Sequence, residues 1–150
     1  LVHELSGYEG TKAITPVTSV AAFISADTDI NTLLGIDSSI DISSFDPVAN
    51  KGDNGINDYL YEKGNQLTVL AYSLQNLTNN LKTTTDSTQD YFKAIAEELN
   101  AEYASTSSRV NIEGSAFIEK VLDNLISVKT IELSADNKSN VISALSSLLI

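Results

Sequence analysis

Short carboxylates set among asparagines are the residues of this chain best suited to chemistry. Between positions 27 and 58 stand seven acidic residues, all Asp, at 27, 29, 37, 41, 46, 53 and 58, opposed only by Lys51. Calcium is held by oxygen from carboxylates, side-chain amides and backbone carbonyls, and loops supply such ligands readily. Two clusters have that composition: Asp27, Asp29 and Asn31, and Asp53, Asn54, Asn57 and Asp58. Neither follows the helix–loop–helix calcium template. After the first cluster the required Gly is missing, and Ser38 stands where the bidentate acid belongs. Asp is also a common turn and capping residue, because its side chain accepts from backbone N–H groups a few residues on. That bland use outweighs calcium here, and the two clusters are carried forward as the metal-ligand candidates.

Other chemistry finds less support. The single histidine, His3, lies near the start of the chain, whereas a Ser–His–Asp site needs a His held between nucleophile and acid. No Gly-x-Ser-x-Gly elbow, Gly-rich phosphate loop or His-Glu-x-x-His helix occurs. Glu97, Glu98 and Glu102 read as the exposed face of a helix; a di-iron bundle needs two Glu-x-x-His motifs, and one histidine cannot supply them. Cysteine is absent, which excludes disulfides and thiolate sites. Asn76-Leu77-Thr78 and Asn137-Lys138-Ser139 match the glycosylation acceptor pattern, but both fall in expected helices. Aliphatic helix faces with six tyrosines could also enclose an apolar or aromatic ligand, although such stripes are usually core.

The elements that must position these residues are helical. Leucines at 60, 67, 70, 74, 77 and 81 fall on one stripe of a helix over 58–82. Each, if buried, contributes roughly 1.5–3 kcal/mol. Gln66, Ser73, Asn76, Asn80 and Lys82 are expected to face water, and Gly64 weakens the helix by about 1 kcal/mol relative to Ala. Thr15 and Pro16 predict the cap and first residue of a helix running to about Ser25 on Val17, Val20, Ala21 and Ile24. A short helix over 29–34 should stop at Gly35. Further helices are expected from Ser87 to about Tyr103, from Ser115 to Val128 with Ile112 as a staple, and from Ser134 to the end. Residues 1–14 read as an extended lead-in or linker, and 15–150 as one helical-bundle domain. The fold class is all-α: an antiparallel bundle of four long helices plus a shorter N-terminal helix, with an irregular Asp-rich loop before the central helix.

Twenty acidic against nine basic residues give a net charge of −11. That disfavours nucleic acid and anionic membrane surfaces as partners. No apolar run approaches a membrane span. The chain starts at Leu1 and contains no Met, which reads as a mature product or an excised domain.

Three segments in order carry a resemblance: AITPVTSVAAFI (13–24), LLGIDSSIDISSFDPVAN (33–50) and GNQLTVLAYSLQNL (64–77). They resemble helical modules of very large secreted surface proteins of Gram-negative bacteria, which sit beside cadherin-like, immunoglobulin-like or RTX-type repeats. Those modules read Thr-Pro-Leu-Thr-Thr, then Leu-Gly-Leu, then Asp-Leu-Thr-Thr-Phe-Asp-Pro, then a long Ala/Gln-rich helix. Here Val17 replaces Leu, Ile36 and Ile42 are conservative changes, and Ser43-Ser44 replace Thr-Thr. YFKAIAEELN (91–100) and VNIEGSAFIEKVLDNL (110–125) are similar to the module's second half, so the resemblance spans about 13–126. It implies an extracellular or cell-surface, multidomain, adhesive setting. Neighbouring domains and a protein or glycan target would be its partners, and it brings no catalytic residues. The expectation is a non-enzymatic module with calcium as its candidate ion. The alternative is a bundle that binds an apolar or aromatic small molecule, and carboxylate catalysis ranks last.

Overall fold

The computed structural model describes residues 14–44, 55–82 and 86–150. These residues contain six helices and no strand: α1 (Pro16–Ala21), α2 (Ile30–Leu34), α3 (Gly55–Lys82), α4 (Thr88–Thr106), α5 (Ser115–Lys129) and α6 (Ala135–Leu149). The four long helices pack in a ring, α3 on α4, α4 on α5, α5 on α6 and α6 back on α3, and α1 packs against both α3 and α4. The all-α bundle expected from the leucine spacing is what forms. Along α4 and α5, Glu102 pairs with Lys120, Glu98 is reached by Asn124, and Asp90 faces Lys129. Positions advancing on one helix therefore meet positions receding on the other.

The central helix α3 packs on α1, α4 and α6, and its Leu60, Leu67, Leu70, Ala71 and Leu74 share one buried core with Val17, Val20, Leu33, Leu34 and the inner faces of α4, α5 and α6. Tyr91, Phe92, Ile95, Leu99, Phe117, Ile118, Val121, Leu122 and Leu125 are buried as their helical spacing requires. The stripe is shorter than its sequence suggests, because Leu81 is 47% exposed in the last turn of α3. In the last helix Leu148 is 63% exposed, while Leu149 beside it is buried. Gln66 reverses the other way: expected on the wet face, it is buried and bonded. Val69 and Tyr72 are on the exposed face instead.

Capping chemistry sets most boundaries. The Thr15 hydroxyl accepts from the Thr18 N–H at 3.1 Å and the Thr18 hydroxyl accepts from the Thr15 N–H at 2.8 Å, a reciprocal box ahead of Pro16. Helix α1 ends at Ala21 rather than near Ser25. The Asn100 side chain of α4 accepts from the Ser25 N–H and donates to the Phe23 carbonyl, which takes that backbone out of helical bonding. Ser134 caps α6 as expected, accepting from the Asn137 N–H. Ser87 precedes α4 but makes no bond to its first-turn N–H groups; its hydroxyl donates to Asp90 instead. Helix α3 starts at Gly55, three residues before the leucine pattern sets it, so Asn57 and Asp58 are in helix and not in loop.

Candidate functional site

The segments before and after α2 carry three aspartates, Asp29, Asp37 and Asp41, each folded over its own backbone. Asp29 is the N-cap of α2, accepting from the Asn31 N–H at 3.0 Å and the Thr32 hydroxyl at 2.6 Å. The Thr32 hydroxyl is the main reason its carboxyl lies below the usual range, with some opposition from burial. Asp37 accepts from the Ser39 N–H at 2.8 Å and the Ser39 hydroxyl at 2.7 Å, and these bonds lower its pKa too. Asp41 repeats the turn on Ser43, with its N–H at 3.0 Å and its hydroxyl at 2.6 Å. Asn31 is buried, and its amide donates to the carbonyls of Asp37 and Ile40 at 3.1 and 2.8 Å. It clamps the following turn onto α2.

The first metal-ligand cluster is therefore placed as follows. Asp27 is exposed in the turn before α2, and Asp29 and Asn31 cap and clamp. Asp29 and Asn31 come together with Asp41 in an open cleft of about 350 Å³ walled by Ile24, Ile30 and Ile42. Asp58 is exposed in the first turn of α3, where its charge suits the helix N-terminus. Asp53 and Asn54 lie outside the described residues, as does the side chain of Asn57. Among the described residues no group of three or more His, Asp or Glu is placed to hold a metal ion.

The end of α2 is held from three directions. Gly35 takes the left-handed conformation, φ +68°, and its N–H and that of Ile36 return to the carbonyls of Thr32 and Asn31. The Val110 N–H donates to the Leu33 carbonyl at 2.8 Å, and the Tyr59 hydroxyl donates to the Leu34 carbonyl at 2.6 Å. Arg109 lies over the Tyr59 ring, 5.9 Å from its centre. Burial raises the Tyr59 pKa, with Arg109 opposing and Glu113 and Glu62 adding to the rise. Leu33-Leu34-Gly35 thus joins α2 to the start of α3 and to the segment after α4.

Beside Tyr59 lies a polar group that the periodicity does not reveal. Lys63 is buried, its Nζ 2.7 Å from Gln66 Oε1, 3.2 Å from Glu113 Oε2 and 5.3 Å from the centre of the Tyr59 ring. Gln66 Nε2 donates to the Leu149 carbonyl at 2.7 Å. One connected set of bonds therefore ties α3 to the α4–α5 loop and to the end of α6. A charged residue placed one turn from Tyr59 and three before Gln66 is its only trace in the sequence.

At the other end of α3, Lys129 of α5 reaches Asp86 at 3.1 Å and Asp90 at 3.8 Å, over the buried Tyr91 ring. The Lys129 bond lowers the Asp86 pKa. Burial draws Lys129 down, but Asp86 and Asp90 outweigh it and leave the amine raised. Glu97, Glu98 and Glu102 point to α5, with Asn124 and Lys120 as partners, and form no facing pair across a cleft. Thr78, the third residue of one glycosylation pattern, is buried and donates to the Leu74 carbonyl. Where an apolar ligand would sit between helices, Leu67, Leu70, Leu74, Ile95, Leu99 and Ile118 close on one another with no exposed surface. An open cleft of about 370 Å³ between α4 and α5 is lined by Glu102, Arg109, Asn111 and Lys120 among others.

No family model, no curated protein and no solved structure matches this chain.

Proposed function

We propose that this chain is a non-catalytic helical module of a secreted bacterial surface protein, which spaces or presents neighbouring domains and takes part in adhesion to a protein or glycan. The observation that carries the reading is the use made of the resembling segments. Thr15-Pro16 opens α1 with a reciprocal cap, Leu33-Leu34-Gly35 is locked by Tyr59 and Val110, and Asp37 and Asp41 turn the chain on the serines that follow them. Residues spent in this way define a shape and not a reaction centre, which is what spacing or presenting neighbouring domains calls on. Detection on intact, unpermeabilised cells of the source organism tests the setting. Antibody or protease access to the module is the expected result, and access only after lysis overturns it.

Calcium is the ion this reading admits, with Asp27, Asp29 and Asn31 and with Asp53, Asn54, Asn57 and Asp58 as its candidate ligands. Calorimetry with calcium and with a chelator tests that part separately. Calcium that binds only the folded form raises the melting temperature as its concentration rises over its Kd. An unchanged melting temperature removes the ion and leaves the module.

A further inference from the structure

Lys63 has a placement that presentation of neighbouring domains does not require. Its side chain keeps 4% exposure, and its Nζ faces the Gln66 amide oxygen at 2.7 Å and the Glu113 carboxylate at 3.2 Å. The amide nitrogen of Gln66 is held by the Leu149 carbonyl at 2.7 Å and by Glu62 Oε1 at 3.4 Å. A buried primary amine thus meets a primary amide one turn along the same helix, where positions three apart share a face. A carboxylate stands at the amine, a second stands at the amide nitrogen, and the Tyr59 ring covers another side. The amine and the amide are each held by a partner on a different segment, Glu113 and Leu149, which is the arrangement that turns a slow bimolecular reaction into a favourable intramolecular one.

We propose that Lys63 and Gln66 join in an intramolecular ε-(γ-glutamyl)lysine cross-link within α3. Glu113 takes a proton from the Lys63 ammonium, and the freed Nζ lone pair attacks Cδ of Gln66. The tetrahedral adduct loses its second Nζ proton, the Cδ–Nε2 bond breaks, and Nε2 leaves as ammonia after taking up one proton from the flanking carboxylic acids. One C–N bond forms and one breaks, nothing is oxidised or reduced, and no co-reactant is consumed. Burial keeps competing water from Cδ, while Glu62, 60% exposed and 3.4 Å from Nε2, stands where the ammonia leaves towards solvent. The loss of ammonia to bulk makes the exchange one-way. The same geometry also serves a plain Lys63–Glu113 ion pair, and the two outcomes differ in covalent mass.

The test is intact-mass analysis of the folded full chain, held at mildly alkaline pH, followed by denaturation and trypsin digestion. The expected mass is one ammonia below the sequence value, and the Lys63–Gly64 bond resists trypsin because the lysine is acylated. The digestion arm is needed because Asn54-Gly55 is a pair that can also lose ammonia, as a succinimide, without protecting Lys63. Fragmentation should place the link between residues 63 and 66. A full mass together with ordinary cleavage after Lys63 overturns the proposal. Glu113→Gln, checked for folding by circular dichroism, should restore both the full mass and the cleavage. A cross-link that forms at an unchanged rate in Glu113→Gln overturns the carboxylate's part in it. Lys63→Arg should retain its ammonia and be cut after position 63.

Discussion

Gly35 and Gly64 are held under opposite constraints. Gly35 has φ +68°, and a Cβ there would lie 2.8 Å from Arg109 Cδ, 2.9 Å from Arg109 Nε and 3.0 Å from the Tyr59 hydroxyl. The Arg109 side chain can swing away, but the Tyr59 hydroxyl is fixed on the Leu34 carbonyl. Gly35→Ala should therefore cost about 1–2 kcal/mol in left-handed backbone strain alone, and more if Tyr59 is pushed off its acceptor. Denaturant unfolding measures this, and an Ala variant as stable as the parent would show that the α2 end adapts. Gly64 is helical, and a Cβ there would meet the Pro16 ring at 3.7–4.0 Å, an ordinary contact. Gly64→Ala should raise stability by about 1 kcal/mol, the helix penalty of Gly recovered without a clash. A loss of stability would mean that α1 sits closer to α3 than these contacts imply.

At the scale of elements, what local sequence controls was legible and what distant residues control was not. Leucine spacing, Thr15-Pro16, Asp29 and Gly35 each act within one helical turn, so α1, α2 and the buried face of α3 could be read from them. The end of α1 could not, because the residue that sets it is Asn100, 75 positions away from Ser25. Gln66 and Lys63 were missed for the same reason. A polar residue in an amphipathic pattern reads as solvent-facing until its partners are known, and here they stand 50 and 83 residues on, at Glu113 and Leu149. The aspartates before α3 read as turn and capping residues, and Asp29 caps α2 while Asp37 and Asp41 form turns; composition alone does not say which of them share a cleft. Asn100→Ala is the sharpest test of the long-range control. It removes bonds to the Ser25 N–H, the Ser25 hydroxyl and the Phe23 carbonyl, and should cost about 1 kcal/mol, since these groups are only partly shielded. Hydrogen exchange should quicken in residues 22–25 and leave α5 unchanged; uniform quickening would mean that Asn100 supports the whole bundle instead.

For the whole molecule, the net charge of −11 also sets the pH response. The carboxyls of Asp29, Asp37 and Asp86 lie below their ordinary value of 3.8, held there chiefly by Thr32, Ser39 and Lys129 respectively. A group lowered by folding stabilises the native state fully above its unfolded pKa, and the contribution disappears as pH falls through the lower native value. Acid loss of stability should thus begin below about pH 3.8, and no earlier on account of these three groups. Between pH 7 and the isoelectric point near 4.2 a second effect runs the other way. The net charge of −11 is neutralised and self-repulsion fades, so the melting temperature should hold or rise before it falls. Salt separates the two, since added salt screens the general repulsion more than the close Asp86–Lys129 contact at 3.1 Å. Asp86→Asn should flatten part of the fall below pH 3.8 and, by taking away the main partner of Lys129, part of the loss above about pH 10.5 as well. On the alkaline side the raised amines of Lys120, Lys129 and Lys138, paired with Glu102, with Asp86 and with Asp123 and Glu119, keep their contribution up to about 10.5 and lose it above. Melting temperature followed from pH 2.5 to 11 in low and high salt checks both limbs. A decline that starts well above pH 4 would place the controlling carboxylates elsewhere in the chain.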